Sequence, residues 1–278
     1  MSKLDNILWH RGIMAIVNAT PDSFYASSRT QSHKAVAERV ERVLNEGATI
    51  IDIGGYSSRP DADDVATAEE WSRVDMALSA AREVSGEVAI SIDTFRAEIV
   101  RRAYEKYGDI IVNDITGGLG DAEMLTTVAE LQLPYIAMHM RGTPQTMRQQ
   151  AQYSDVVADV VAELQERLTA IENAGIERKR VALDPGFGFA KTVEQNYELL
   201  AGLYRLKALE QPLLVGVSRK SMIYKPLGIT PDEALSATQT VHWEALRQGA
   251  TLLRVHDIKE AVQTIKLYEK FNQNDKGF

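Results

Sequence analysis

The chain has 278 residues, 45% hydrophobic and 25% charged, with no cysteine and a net charge of −8. A chain of this length and composition buries a sizeable core without covalent staples, and the lack of cysteine excludes disulfides, thiolate metal sites and a cysteine nucleophile. The acidic balance argues against nonspecific nucleic-acid binding, whose footprint is a basic surface. Residues 1–9 carry Lys3, Asp5 and Asn6 and lack the uninterrupted apolar stretch of a signal peptide. No apolar run approaches the roughly 18 residues that span a bilayer. The expectation is a cytoplasmic protein with neither nucleic acid nor membrane as partner.

The first apolar run, 12–17, reads as a strand and leads to Asn18. After it, 33–46 sets Val36, Val40, Val43 and Leu44 on one helical face. Runs near 49–53, 88–92, 110–113 and 135–139 repeat the strand signal, with longer amphipathic stretches between them. In 154–174 the positions Val157, Val160, Val161, Leu164, Leu168 and Ile171 again share a face. Further strand-like runs lie near 181–184, 212–217 and 251–255. Thr230-Pro231-Asp232-Glu233 offers a Thr N-cap, a Pro at the first helical position and a capping-box Glu. Gly47, Gly175 and Gly249 each follow a helical stretch, where a left-handed residue commonly ends one. Eight strand-like runs alternating with helix-like ones predict an α/β fold of βα units around a parallel sheet. Length and count favour closure into a single (β/α)8 TIM barrel over an open doubly wound sheet. No Gly/Ser-rich linker, repeat or break in composition divides the chain, so one domain over 1–278 is expected.

Nearly every strand-like run ends on polar residues. In order these are Asn18, Asp52 with Ser57-Ser58-Arg59, Asp93, Asn113-Asp114, His139, Asp184, Ser218-Arg219-Lys220, and Arg254 with His256. In a barrel these strand ends and the loops after them form one face, where active sites sit. One polar residue there carries little signal, because it can cap a helix or bond its own loop. A set drawn from almost every βα unit is hard to explain as independent caps. Gly186 and Gly188, beside Asp184, permit close backbone approach. The segments NATPDSF (18–24), IIDIGGYSSRP (50–60), SIDT (91–94), VNDITGG (112–118), MHMRGTP (138–144), LDPGFGFAK (183–191), VSRKS (217–221) and RVHD (254–257) resemble the dihydropteroate synthase family. They occur in that family's order and cover almost the whole chain.

The resemblance implies a transferase that displaces pyrophosphate from (7,8-dihydropterin-6-yl)methyl diphosphate with the amine of 4-aminobenzoate. The product would be 7,8-dihydropteroate, a folate precursor. On that resemblance Asp184 accepts from the 2-amino and N3 positions of the pterin, Asp93 and Asn113 address other ring nitrogens, and Lys220 donates to the ring carbonyl and N5. Phe189 and Met138 correspond to positions that wall the pterin pocket. Asn18 would sit on Mg²⁺, with Ser58, Arg254 and His256 on the diphosphate. Arginine suits this place because its planar fork matches phosphate and can also lie against a ring. Mg²⁺ takes oxygen ligands and keeps several waters, so one Asn side chain beside the substrate's own phosphates is adequate. Ser221 would help place the aminobenzoate, and Arg59 and Pro60 belong to the mobile second loop. Catalysis would be mainly electrostatic and positional, carried by Lys220, Arg254, His256 and Arg59, with no nucleophile needed. Family members are usually homodimers, which extends the same expectation here.

Two loops depart from the family pattern. The first commonly reads DSFSDGG, where this chain has DSFYASS, so Ala26 stands in place of the acidic residue. The second commonly reads GESTRPGA, where this chain has Tyr56, Ser58 and Asp61 for Glu, Thr and Gly. Rival readings are a methyltetrahydrofolate–corrinoid methyltransferase, a Schiff-base aldolase using Lys220, and a non-catalytic pterin-binding paralogue. The first has no need of the SRKS and RVHD anion cluster, and the second leaves DPGFGF unexplained. The loop departures keep the third in view.

Overall fold

Short, nearly continuous apolar runs of β-prone residues, interrupted by helices, leave each strand with two apolar faces and call for cover on both. The computed structural model describes residues 3–19, 29–56 and 65–274. Ser58, Arg59 and Pro60, and the loop departures at Ala26 and Asp61, lie outside the described residues. A short helix, α1 (Lys3–Trp9), precedes β1 (Gly12–Asn18), α2 (Arg29–Glu46), β2 (Ile50–Gly54) and α3 (Thr67–Val84). Next come β3 (Ala89–Asp93), α4 (Ala97–Tyr107), β4 (Ile111–Asp114), α5 (Met124–Leu131) and β5 (Tyr135–Met138). Then α6 (Val156–Asn173), β6 (Val181–Asp184), α7 (Val193–Ala201), β7 (Leu214–Val215) and α8 (Ser221–Leu227) lead to α9 (Leu235–Gln248), β8 (Leu252–Val255) and α10 (Ile258–Asn274).

The strands pair in parallel in the order β6-β5-β4-β3-β2-β1-β8-β7, and a parallel bridge between Leu183 and Leu213 joins the two ends. The sheet therefore closes into a (β/α)8 barrel, as the alternation predicts. The seam is its thinnest part. β7 spans two residues where 212–217 was expected, because Pro212 has no N–H for a ladder and the Leu213 N–H is taken by Thr251 Oγ1 at 2.9 Å.

Each strand contributes one inward residue to a buried layer at the bottom of the barrel: Met14, Ile50, Ala89, Ile111, Ile136, Ala182, Leu214 and Leu252. Leu8 of α1, wholly buried, packs into this layer and stoppers that end. Burying such a side chain contributes about 1.5–3 kcal/mol. The opposite, C-terminal end is left to the site. Residues of the other strand parity, such as Ile13, Ile51, Ile90 and Val112, face outward onto the helices in the main core. Val36, Val40 and Val43 of α2, and Val157, Val160, Leu164, Leu168 and Ile171 of α6, are buried against it as their spacing predicts.

Gly47, Gly175 and Gly249 have φ of 106°, 96° and 116°. The N–H after each reaches back to a helical carbonyl: Ala48 to Val43, Ile176 to Ile171, Ala250 to Ala245. These are Schellman-type stops, which turn the chain straight into the next strand. The Thr230 signal is met differently. Its capping box forms, but on a 3₁₀ turn at Pro231–Glu233, with α9 starting only at Leu235. The i to i+3 bonds from Glu233 to Thr230 and from Ala234 to Pro231 tighten the chain before it can open into an α-helix. Among the described residues no helix is long and apolar enough to cross a membrane.

Candidate active site

Strand register builds the rim of the site. Asn18 pairs with Gly54, Gly54 with Asp93, and Asp93 with Asn113, so these four residues form one level at the C-terminal end of the barrel. Paired residues on neighbouring strands face the same way. Gly54 leaves a notch in that level: a Cβ there would lie 3.4 Å from Asn18 Oδ1 and 3.9 Å from Asp93 Oδ2. Above this level opens a cleft of about 1380 Å³, whose lining includes Asn18, Asp93, Phe189, Lys220, Arg254 and His256. Ser221, the first residue of α8, lines it too.

Arg254 is clamped from two sides. Its Nε donates to Asp52 Oδ2 and its Nη2 to Asp93 Oδ2, both at 2.6 Å. Burial opposes its charge, but the two carboxylates together raise its pKa and keep it a cation. Asp93 is pushed up to about 7, first by burial and then by Asp52 and other carboxylates, with Arg254 pulling the other way. The Asn113 amide lies at the edge of bonding distance from Asp52, 3.4 Å from Oδ1. The guanidinium is thus oriented before any anion arrives.

The DPGFGFAK segment folds as a tight turn after β6. Gly186, Gly188 and Ala190 have φ of 69°, 81° and 48°. A Cβ on Gly186 would fall 2.0 Å from His139 O, so only glycine fits this approach. The turn brings the Gly186 N–H within 2.7 Å of Asp184 Oδ1. Burial raises the pKa of Asp184, while Lys220 and the Gly186 N–H counteract it. Lys220 Nζ donates to Phe187 O at 2.5 Å and stands 4.8 Å from the centre of the Phe189 ring. Burial lowers Lys220 to about 8, and Asp184 and Asp93 hold it from falling further. Phe189 packs with Phe95 on a separate apolar cluster of Ile115, Met138, Met140, Met147 and Ala190. A flat ring entering here would meet apolar walls and a buried carboxylate.

The expected residues Asn18, Asp93, Asn113, Met138, Asp184, Phe189, Lys220, Ser221, Arg254 and His256 all lie at this one end of the barrel. Asn113, Met138 and Asp184 are buried, while His256 is exposed, with its N–H on Ser218 Oγ at 3.2 Å. Three features carry no assignment in the sequence reading. Asp52 proves to be the partner of Arg254. Tyr56, at the stem of the second loop, packs edge-on against Phe95 at 5.1 Å and lies 5.5 Å from the Arg96 guanidinium. Arg96 is held in turn by the buried Glu70 at 2.6 Å. Lys191, His139 and Glu163 form a chain under the DPGFGFAK turn. Asp52 and His139 had a signal, as polar residues at the strand ends, and Tyr56 only as a departure from the family's second loop.

The sequence profile of the pterin-binding enzymes matches residues 14–256. The chain is 42% identical to dihydropteroate synthase of Escherichia coli K12 over 262 residues, covering 94% of this chain and 92% of that protein. The structure of Xanthomonas albilineans dihydropteroate synthase with 4-aminobenzoic acid superposes with a TM-score of 0.87 at 37% identity, over 95% of this chain and 94% of that one. The same enzyme in complex with 7,8-dihydropteroate gives 0.84 at 34% identity, over 95% of each chain. The chain belongs to the pterin-binding enzymes and, among them, to the dihydropteroate synthases.

Proposed function

We propose that the chain, as one pterin-binding barrel domain over 1–278, condenses (7,8-dihydropterin-6-yl)methyl diphosphate with 4-aminobenzoate. The products are 7,8-dihydropteroate and pyrophosphate. The observation that carries this reading is a buried carboxylate, Asp184, set beside two cations, Lys220 and Arg254, at the mouth of a barrel with an apolar wall. Such a site takes a ligand that is a hydrogen-bond donor at one edge, aromatic in its plane and anionic at its far end.

Asp184 accepts from the 2-amino and N3 groups of the pterin, and Asp93 and Asn113 meet the remaining ring nitrogens. Phe189 and Met138 flank the ring. Lys220 donates to the ring carbonyl and N5. Arg254 and His256, with Ser58 of the second loop, bind the diphosphate. The methylene–oxygen bond breaks with its electron pair passing to pyrophosphate. The aminobenzoate nitrogen forms the new bond to the methylene and loses one proton to solvent or pyrophosphate. Carboxylates held in place face the positive charge that develops on the pterin side, and they need no reorganisation to stabilise it. Ser221 and Pro60 border the aminobenzoate.

The notch beside Gly54 fits a hard cation held mostly by its substrate. Its borders are the oxygens Asn18 Oδ1 and Asp93 Oδ2, and among the described residues no group of three His, Cys, Asp or Glu could hold a metal alone. Asn18 would be the protein ligand to Mg²⁺, which when bound would neutralise diphosphate charge. This donor set suits an ion that keeps several waters.

A homodimer is supported by Tyr197, Tyr204 and Leu227, exposed large residues on α7, on the 3₁₀ turn 203–209 and on α8. Sedimentation equilibrium is expected to give twice the chain mass, and Tyr204→Asp to shift it toward the monomer. A monomeric wild type would end that assignment. A cytoplasmic setting is compatible with a chain that has no cysteine to oxidise. The pterin reading itself is tested by calorimetry with 7,8-dihydropteroate. One molecule should bind per chain, and no binding by a folded protein would contradict the reading.

A further inference from the structure

The substrate roles above leave Lys191 unused, although it lines the cleft and closes the DPGFGFAK turn. Its ammonium meets three acceptors: Gly186 O at 3.0 Å, Phe189 O at 3.1 Å and His139 Nδ1 at 3.0 Å. Three protons and three acceptors leave none of its hydrogens for a ligand. Because His139 Nδ1 accepts from an ammonium, the ring proton sits on Nε2 and is donated to Glu163 Oε2 at 3.1 Å. Glu163 also accepts from Arg141 Nε at 2.9 Å and from Arg141 Nη2. The Arg141 guanidinium lies 3.9 Å from the centre of the Tyr153 ring, which caps this side. Burial lowers His139 to about 4, with Lys191 and Arg141 adding to the effect, so the ring is neutral. Burial raises Glu163, but its bonds to His139 and Arg141 outweigh that and bring it to about 2. Lys191 falls to about 7, chiefly through burial, with Asp184 and Glu163 supporting its charge against Lys220 and Arg141.

The two carbonyls that Lys191 holds belong to residues that shape the ligand pocket. Gly186 is the residue whose N–H fixes Asp184 Oδ1, and Phe189 supplies the apolar wall. The turn that carries them has left-handed residues at Gly186, Gly188 and Ala190. Lys191 is the side-chain donor to Phe189 O and a second donor to Gly186 O, which also accepts from the Phe189 N–H at 3.1 Å, and a carbonyl that loses a donor in a buried place is costly. We propose that Lys191, braced by the His139–Glu163 pair, is a positioning residue that sets the Asp184 carboxylate and the Phe189 ring for the pterin. It does so without touching substrate. This inference rests on the reading of Asp184 as the pterin acceptor.

The test compares Lys191→Met and Glu163→Gln with Asp184→Asn as a reference, measuring KM for each substrate with the other saturating. Loss of charge-assisted bonds in Lys191→Met should raise KM for the pterin diphosphate about tenfold or more, with KM for aminobenzoate changed by less than about twofold. Methionine keeps the stem and removes the donors, which should lower the melting temperature as buried acceptors lose a partner, so the deciding readout is a KM change confined to the pterin diphosphate. Glu163→Gln keeps Lys191 and weakens its brace, and should move the pterin KM the same way by a smaller factor. If Lys191→Met does not fold, Glu163→Gln decides. A rise in both KM values together, or a lower melting temperature with unchanged KM values, makes the network merely structural and overturns the proposal. If Asp184→Asn binds the pterin normally, the pterin reading has failed. If Asp184→Asn loses it while both other variants keep it, this inference alone has failed.

Discussion

Asp184→Ala is expected to lower kcat/KM for the pterin diphosphate on the order of hundreds-fold or more, while the barrel stays folded. Asp184 is buried, and its Oδ1 accepts from the Gly186 N–H. In the proposed complex the carboxylate takes two further hydrogen bonds from the pterin edge. Each charge-assisted bond is worth about 1.5–3 kcal/mol, and two of them account for a loss of this size. The residue stands at the last position of β6, past the packed layers, so its removal takes no apolar contact from the core. Steady-state kinetics beside a thermal melt separates the two effects. Near-normal turnover would remove Asp184 from the pterin role.

Arg254→Leu should be costly twice. Breaking a buried ion pair by removing one partner costs about 3–5 kcal/mol, because the other charge is left uncompensated. Here two carboxylates, Asp52 and Asp93, lose the same cation. Turnover should fall at least about a hundredfold, since a donor aimed at the departing diphosphate is lost. The stability loss has a pH signature. Asp93 sits at about 7 through burial, with Arg254 holding it down, and it moves higher once Arg254 is gone. An aspartate in the unfolded chain titrates near ~4, so the folded state binds this proton more tightly, and stability falls as pH rises toward the folded value. At pH 5 Asp93 is protonated in both proteins. At pH 8 it is ionised and paired in the wild type, whereas the variant pays to ionise it or to keep its proton. Urea unfolding should therefore show a larger deficit at pH 8 than at pH 5. An equal deficit would mean that the Arg254–Asp93 contact does not govern the site.

Much of this was legible because it depends on period. The short apolar runs mark strands buried on both faces, the helical spacing of Val36, Val40 and Val43 reports which helix face is buried, and the runs locate the strand ends where Asn18, Asp93, Asp184 and Arg254 stand. Barrel closure followed from counting units. Pairing between distant units has no local signal. Arg254 and Asp52 are 202 positions apart in the chain, and only the register of β8, β1 and β2 brings them together. The same holds for Glu163 and His139, one on the inner side of α6 and the other just past β5. Lys191 was hidden differently. In sequence it is one more charge after a glycine-rich turn, and its three acceptors exist only once Gly186 and Ala190 have taken positive φ. At Tyr56 a departure from the family pattern was visible, but its packing on Phe95 and Arg96 was not. The short β7 and the 3₁₀ turn after Thr230 show the limit of local rules, where neighbouring residues took the donors those rules assumed to be free.

The most direct test of the account is turnover by the purified chain with the pterin diphosphate, Mg²⁺ and labelled 4-aminobenzoate, followed by separation of products. Labelled 7,8-dihydropteroate and pyrophosphate are expected in equal amounts, with product formation lost in Asp184→Ala. A folded protein that binds the pterin but releases pyrophosphate without joining it to aminobenzoate, or forms no product, would contradict it.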